Sequence, residues 1–484
     1  MSEVNIVRRS LLLSFGERYS IAILQLMSVI ILSRLLTPED IGIYTIGLAL
    51  IGLAHMFRDF GIGKYIIQEK SLTKEKVASA LGLTFLFAWL TGCIVLFLAP
   101  YIAEYYDEPA VESVTYIVAI NFFLIPVGAM SKELLKRSMS FGTLFKINFF
   151  STLASVVTSI ALALMGFGFF SMAWATVVST VVSAAMSQFY LPAKYRVLPT
   201  LKNSRPVLNF GRHVLGANLL VEAESSIKNL VIGKVLGFSL LGLFSRAEGY
   251  VKLYDKTLAQ ATNRVIYLYM AKINRSNEDL EQSFYNSLNY VSVIGWFFLG
   301  YMGLMSSTVI QILFGDQWTE ASVYASILCV IGCLQVPIKI TRFLFDATGY
   351  VRENFQIVFV FTLLRILLLF VFIKVGLTEM LLSFLMVAVI EYIITNLYLR
   401  RLFSFSITKL LKMLGRNVVV CAFSLSFPLY YYFDQLAGFG GTFQVFFISG
   451  LISLILWIVI VCLIDHPICG ELKKAKKMLI KTKS

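Results

Sequence analysis

Residues Arg34 to Tyr44 read RLLTPEDIGIY, and Lys234 to Phe244, two hundred positions later, read KVLGFSLLGLF. Without a gap, a base aligns with a base, Leu36 with Leu236, Gly42 with Gly242 and Tyr44 with Phe244. Each copy is a short turn between two long apolar runs. Repeats spaced a few tens of residues apart would suggest a solenoid. One spaced by about 200 residues in a hydrophobic chain suggests a transporter built from two halves.

Working outward, composition sets the class. Hydrophobic residues are 58%, charged residues 14%, and the mean hydropathy is +0.79. A soluble domain is about half apolar and about a quarter charged. Forty Phe and 23 Tyr suit a chain whose aromatics meet lipid and its interfaces. The net charge of +14 is spread over short loops with no aromatic-interleaved patch, which argues against nucleic acid. The six cysteines nearly all fall in apolar runs and read as buried apolar residues. Cys329 and Cys333 share a helix face, but no His or further Cys completes a metal site.

The chain offers about fourteen candidate spans, each near the ~20 residues that cross a ~30 Å hydrocarbon core. They lie near 12–33, 41–63, 78–100, 112–131, 147–167, 170–191, 211–233, 240–262, 289–313, 321–340, 355–375, 379–399, 417–434 and 443–464. Arg8 and Arg9 precede the first, as in a signal peptide; without a clear small-residue cleavage site it reads as a retained helix. One set of loops carries the bases, from Lys64–Lys76 through Lys132–Arg137, Lys194–Arg205, Lys272–Arg275, Lys339–Arg352 and Arg400–Arg416 to the tail at Lys473–Lys477. The alternate loops, such as YYDEPA (105–110) and GDQWTE (315–320), carry none. Arg34, Lys234 and Lys374 alone break the pattern. This asymmetry places both termini in the cytoplasm.

The matched turns lie on the same side, so each repeat holds an even number of spans and the halves are parallel copies. The expected fold is all-α and polytopic: two parallel six-helix lobes, 1–200 and 201–402, then two further helices and a basic tail over 403–484.

No enzyme motif is present: no nucleophile elbow, no HExxH, no Walker loop. The costly residues lie in the spans, where a central charge costs roughly 2.5–3.5 kcal/mol on insertion scales. Span eight holds Arg246, Glu248, Lys252, Asp255 and Lys256, the last four spaced i, i+4, i+7, i+8 on one helix face. Facing lipid, they would cost on the order of 10 kcal/mol. They are expected to line a water-filled space. Span seven adds Glu222, Glu224 and Lys228; span two adds His55, Arg58 and Asp59; span one adds Glu17 and Arg18. Arg365 and Glu391 lie near the middles of spans eleven and twelve.

Two readings stand side by side. Glu248–Lys252, Glu224–Lys228, Arg58–Asp59 and Arg365–Glu391 can pair and simply hold helices together. Alternatively, Arg18, Arg58, Lys228, Arg246, Lys252 and Lys256 make a cationic cavity for phosphates, while Glu222, Glu224 and Asp255 carry a coupling proton or sodium ion. Trp318 and Tyr324 read as interface anchors.

Four stretches carry a family resemblance: DFGIGKYIIQ (59–68), QSFYNSLNY (282–290), LFGDQW (313–318) and LFDATGY (344–350). They resemble the oligosaccharide flippases, the polysaccharide transporters of the multidrug/oligosaccharidyl-lipid/polysaccharide superfamily, in the branch exporting colanic-acid-like and teichuronic-acid-like repeat units. The resemblance covers nearly the whole chain, and its motifs are turn and packing motifs. It implies a bacterial inner-membrane flippase, not an enzyme. Such a protein moves an undecaprenyl-diphosphate-linked oligosaccharide to the outer leaflet by alternating access, upstream of a polysaccharide polymerase and export machinery. No cofactor beyond an ion gradient is expected, and the partners are the lipid-linked oligosaccharide and membrane lipids. A multidrug/cation antiporter of the same superfamily is the alternative, and it predicts a cavity of acids and aromatics. A glycan polymerase or ligase would need a large outer loop, which this chain lacks.

Overall fold

In hydrocarbon no water is available to the backbone, so a spanning segment must satisfy its own N–H and C=O groups. The computed structural model accordingly contains helices, and no strand among the described residues. It describes the backbone of residues 3–59, 61–214, 216–276, 278–436 and 443–470. Within these segments the side chains of 3–15, 17–18, 56–59, 194, 210–214, 216–219, 221, 260–261, 263–264, 407 and 433–436 are not described. The expected basic tail at Lys473–Lys477, and the side chains of Glu17, Arg18, Arg58 and Asp59, lie outside the described residues.

Two compact units divide the chain, Met1–Gly242 and Leu243–Ser484. The first contains α1 (Glu3–Leu35), α2 (Pro38–Asp59), α3 (Ile62–Gln68), α4 (Lys74–Tyr106), α5 (Pro109–Arg137), α6 (Phe141–Leu164), α7 (Phe170–Phe189), α8 (Arg205–Val214) and α9 (Gly216–Leu236). Helix α10 (Phe238–Tyr254) begins in it and runs into the second. There follow α11 (Gln260–Ser276), α12 (Leu280–Leu304), α13 (Ser306–Phe314), α14 (Ala321–Thr348), α15 (Val351–Phe372), α16 (Leu377–Phe403), α17 (Ile407–Ser424), α18 (Ser426–Leu436) and α19 (Phe443–Leu463).

Each expected span overlaps helix among the described residues, although 41–63, 211–233, 289–313 and 417–434 are each divided between two helices. Among the described residues nine helices are long and apolar enough to cross a membrane, or ten if the bent pair in α17 and α18 is one span. That pair turns by 60°. Pro428 supplies the reason: it has no N–H for the Ser424 carbonyl, and its ring crowds that oxygen. Several helices outrun their expected ends. Lys339 and Arg342, read as loop bases, lie on α14; Lys132, Lys136 and Arg137 lie on α5. Long basic stems let a helix continue past the hydrocarbon edge while the charge reaches water.

In the first unit α4 packs on α5, α5 and α6 on α7, α1 on α6, and α2 on α4, α5 and α9. The contact of α9 with α2 places the unit boundary after the second copy of the repeat has begun. Helix starts follow local chemistry. Thr37 and Asp40 form a reciprocal cap at α2: the Asp40 amide donates to Thr37 Oγ1 (3.1 Å) and the Thr37 amide to Asp40 Oδ2 (3.0 Å). Pro109 opens α5, where a missing N–H costs nothing. At one end of this unit Ile62, Tyr65 and Ile66 of α3 bury against Val77 and Leu83 of α4 and Met130 and Leu134 of α5.

In the second unit α14 packs on α11, α12 and α16, and α15 on α16. The two C-terminal spans are built onto α12. Val420 of α17 and Trp457 and Val461 of α19 bury with Val293 of α12.

Candidate translocation site

In the first unit, Glu222, Glu224 and Lys228 lie on α9, which packs on α2. Gly52 of α2 has no Cβ where Ser226 Oγ and Glu222 Oε1 approach, at 2.9 and 3.0 Å from where that atom would sit. Glu222 is exposed, while Glu224 and Lys228, one turn apart, are half-buried. The base that broke the loop pattern is also accounted for. Lys234 forms an ion pair with Asp107 at 3.0 Å and lies 4.8 Å over the Tyr105 ring. The neighbouring Tyr106 hydroxyl donates to the Leu230 carbonyl at 2.8 Å, tying α4 to α9.

In the second unit, the charges of span eight separate into distinct partnerships. Lys252 donates to Glu248 at 2.6 Å, the i,i+4 pair that its spacing allows. Asp255 reaches across to α14 and pairs with Lys339 at 3.0 Å. Residues Asp255–Ala259 form a π-turn, which inserts an extra residue and rotates the side chains that follow it relative to the preceding α-helix. Lys256 is exposed.

Arg246 is in a different situation. Its guanidinium carbon lies 5.4 Å from the centre of the Trp318 ring. Its Nε is shielded from solvent and has no hydrogen-bond partner, and no carboxylate pairs with it among the described residues. Trp318, expected to anchor the interface, is instead fully buried. It sits in the LFGDQW turn, which Gln311 closes by donating to Asp316 at 2.6 Å. Gly315 holds φ +101°, a conformation that favours glycine and sets the chain's exit from α13. What read as a turn signature is thus also the mount for the ring beneath Arg246. Nothing in the local pattern distinguishes a buried tryptophan there from an interfacial one.

Arg365 and Glu391 form the expected interhelical pair at 3.0 Å, between α15 and α16. Glu391 is 1% exposed and also accepts from Gln335 Nε2 at 3.1 Å. Nearby, Arg342 donates to Asn354 at 2.8 Å, and Asn354 donates to Asp346 at 2.6 Å. Gln335, Lys339 and Arg342 were not among the expected site residues; all three lie on α14. No cluster of metal-binding side chains occurs among the described residues.

Chemically, the second unit offers at Arg246 a guanidinium without an acid among the described residues and exposed ammonium groups at Lys252 and Lys256, and the first unit offers carboxylates at Glu222 and Glu224. Known proteins resemble the chain at both levels. The lipopolysaccharide biosynthesis protein WzxC of Escherichia coli (strain K12) is 24% identical over 323 residues, covering 64% of this chain and 64% of that protein. The teichuronic acid biosynthesis protein TuaB of Bacillus subtilis (strain 168) is 23% identical over 323 residues, covering 65% and 66%. The similarity therefore spans just under two thirds of the length of both relatives. A solved structure of the lipid II flippase MurJ, in an inward closed conformation, superposes with a TM-score of 0.76 at 13% identity. That match covers 95% of this chain and 99% of the other, and it establishes a shared all-helical, multi-pass membrane fold. Residues 31–323, more than half of the chain, match the family described as polysaccharide biosynthesis protein, and the chain belongs to that family.

Proposed function

We propose that this protein flips an undecaprenyl-diphosphate-linked oligosaccharide across the bacterial inner membrane, for the synthesis of a cell-surface polysaccharide. It works by alternating access, with both termini in the cytoplasm, as a transporter and not an enzyme. Membership of a polysaccharide biosynthesis family and a fold shared with a lipid II flippase support the reading. The observation that carries it is Arg246. A guanidinium whose Nε is shielded from water, with an aromatic ring beneath it but no carboxylate partner among the described residues, is a partly desolvated charge without a counter-ion. An arriving diphosphate would supply the missing acceptor through charge-assisted hydrogen bonds.

Lys256 and Lys252 are proposed to assist, with Lys252 exchanging its bond to Glu248 for the ligand. Lys228, Arg18 and Arg58 complete the proposed set of bases. For coupling, Asp255 is held by Lys339, and Glu222 is the exposed acid of the three. A proton or sodium ion is therefore proposed to act through Glu222 or Glu224 first. The polymerase and export machinery that consume the flipped repeat unit are the expected partners.

The test is native mass spectrometry of the full chain offered an undecaprenyl-diphosphate glycan and a panel of organic cations. Retention of the diphosphate lipid by the wild type, and a loss of about ten-fold or more in Arg246→Gln, is expected from a charged hydrogen-bond donor. Retention of cations with indifference to the lipid would move the protein to drug/cation antiport.

A further inference from the structure

Residues 190–205, joining α7 to α8, read YLPAKYRVLPTLKNSR: four bases and no acid. This strap is tied along the start of α4. The Thr200 amide donates to the Ala78 carbonyl at 3.1 Å, and Ser79 Oγ donates to the Lys202 carbonyl. Beneath it lies a cavity of about 320 Å³ between α4, α5 and α7. Its walls are mostly apolar, formed by Leu81, Val127, Met130, Leu191 and Val197. Two of the polar groups there are already engaged with helix carbonyls: Ser131 Oγ donates to Ser187, and Gln188 Nε2 to Val127.

The mouth has the opposite character. Arg196 lines it, exposed, with no carboxylate partner among the described residues. Leu198 beside it is 87% exposed, and Phe189, at the end of α7, is 78% exposed. Large apolar side chains this bare are unfavourable against water and unremarkable against lipid.

We propose that this cavity is a binding site for an anionic phospholipid of the adjacent leaflet, one acyl chain entering beneath the strap and the headgroup phosphate meeting Arg196. Three observations converge. The cavity lies at the ends of α5 and α7 and the start of α4, where the bases that mark the membrane boundary collect. Its volume falls in the range of small-molecule sites, and its lining suits hydrocarbon. The strap's charge is wholly positive, and basic segments at this depth attract anionic headgroups. The site involves none of the residues of the proposed translocation site, so it stands or falls separately from it.

The probes are phosphatidylglycerol and phosphatidylcholine with identical acyl chains, offered to the full chain without any glycolipid and read by native mass spectrometry. The wild type is expected to retain phosphatidylglycerol in preference. Arg196→Gln should lower that retention about five-fold, the effect of one base at an anionic surface, and leave phosphatidylcholine unchanged. Leu198→Glu, at a side chain with little packing to lose, should reduce both lipids. Arg352→Gln, an exposed base in the other unit, should behave as wild type. Equal retention of the two lipids by the wild type, or undiminished phosphatidylglycerol in Arg196→Gln, overturns the proposal.

Discussion

Gly42 and Gly242 make the same contact in opposite directions. A Cβ on Gly42 would overlap the carbonyl of Phe238, and a Cβ on Gly242 would overlap the carbonyl of Pro38. Pro38 and Phe238 are themselves aligned positions of the two-hundred-residue repeat. Reciprocity of this kind is what a two-fold relation between the turns produces. Small residues let helix backbones approach closely in a membrane, where packing takes over from the hydrophobic effect. The glycine pair is thus the physical content of the repeat.

Gly42→Ala and Gly242→Ala should therefore each destabilise the protein by about 1–3 kcal/mol, the usual cost of forcing extra atoms into a close contact. The obstacle is backbone and cannot rotate away. Thermal unfolding followed by size-exclusion chromatography measures this. Alanine at either site with wild-type stability would show that the two turns separate freely.

The Arg365–Glu391 pair allows a sharper test. With Glu391 buried, Glu391→Leu removes the acid paired with Arg365 and should cost about 3–5 kcal/mol. Replacing both, in Arg365→Leu/Glu391→Leu, removes the charge along with its partner and should recover much of that loss. The same unfolding assay applies. A double variant at least as unstable as the sum of the single ones would mean the residues do not act as a pair.

Trp318 is expected to act through Arg246. A cation over an aromatic face gains roughly 2 kcal/mol when both are desolvated. Trp318→Phe keeps a ring under the guanidinium, and Trp318→Leu does not. Affinity for the diphosphate glycolipid should fall in the order wild type, Phe, Leu, by about ten-fold or more overall. Thermal unfolding of the same variants separates this from a packing loss: Phe and Leu variants of equal affinity but unequal stability would leave Trp318 with a purely structural role.

These cases also show what could be seen in the sequence. Helices were legible because lipid leaves the backbone few alternatives, so long apolar runs such as 443–464 can hardly be anything else. The Gly42/Gly242 match was legible because a repeat preserves its tightest contact. The Glu248–Lys252 pair was legible because both partners lie on one helix. Asp255 with Lys339 was not, since its partner lies 84 positions away on another helix. Arg246 over Trp318 was missed for a related reason: hydropathy places a tryptophan near a boundary but does not say whether it faces lipid or protein. Charges on a helix could be enumerated from the sequence, whereas their partners depend on which neighbour each face meets.

The last prediction concerns pH. His466, just beyond α19, is 1% exposed, and its Nε2 lies 3.0 Å from the side-chain oxygens of both Asn289 and Asn417. Its Nδ1 accepts from the Ile468 amide at 3.2 Å, so the proton belongs on Nε2 and the ring is neutral. Burial, reinforced by nearby Arg416, lowers its pKa from the ordinary 6.5 to about 4. Between those values the unfolded chain binds a proton that the folded one refuses, so the folded state loses stability as pH falls through that window. The stabilisation is fully present above pH 6.5 and is lost as pH falls toward about 4. His466→Gln cannot titrate. The stability difference between wild type and this variant should narrow, or reverse, as pH falls from 7 toward about 4. A difference independent of pH across that window would mean that the imidazole titrates in the folded protein as it does in water.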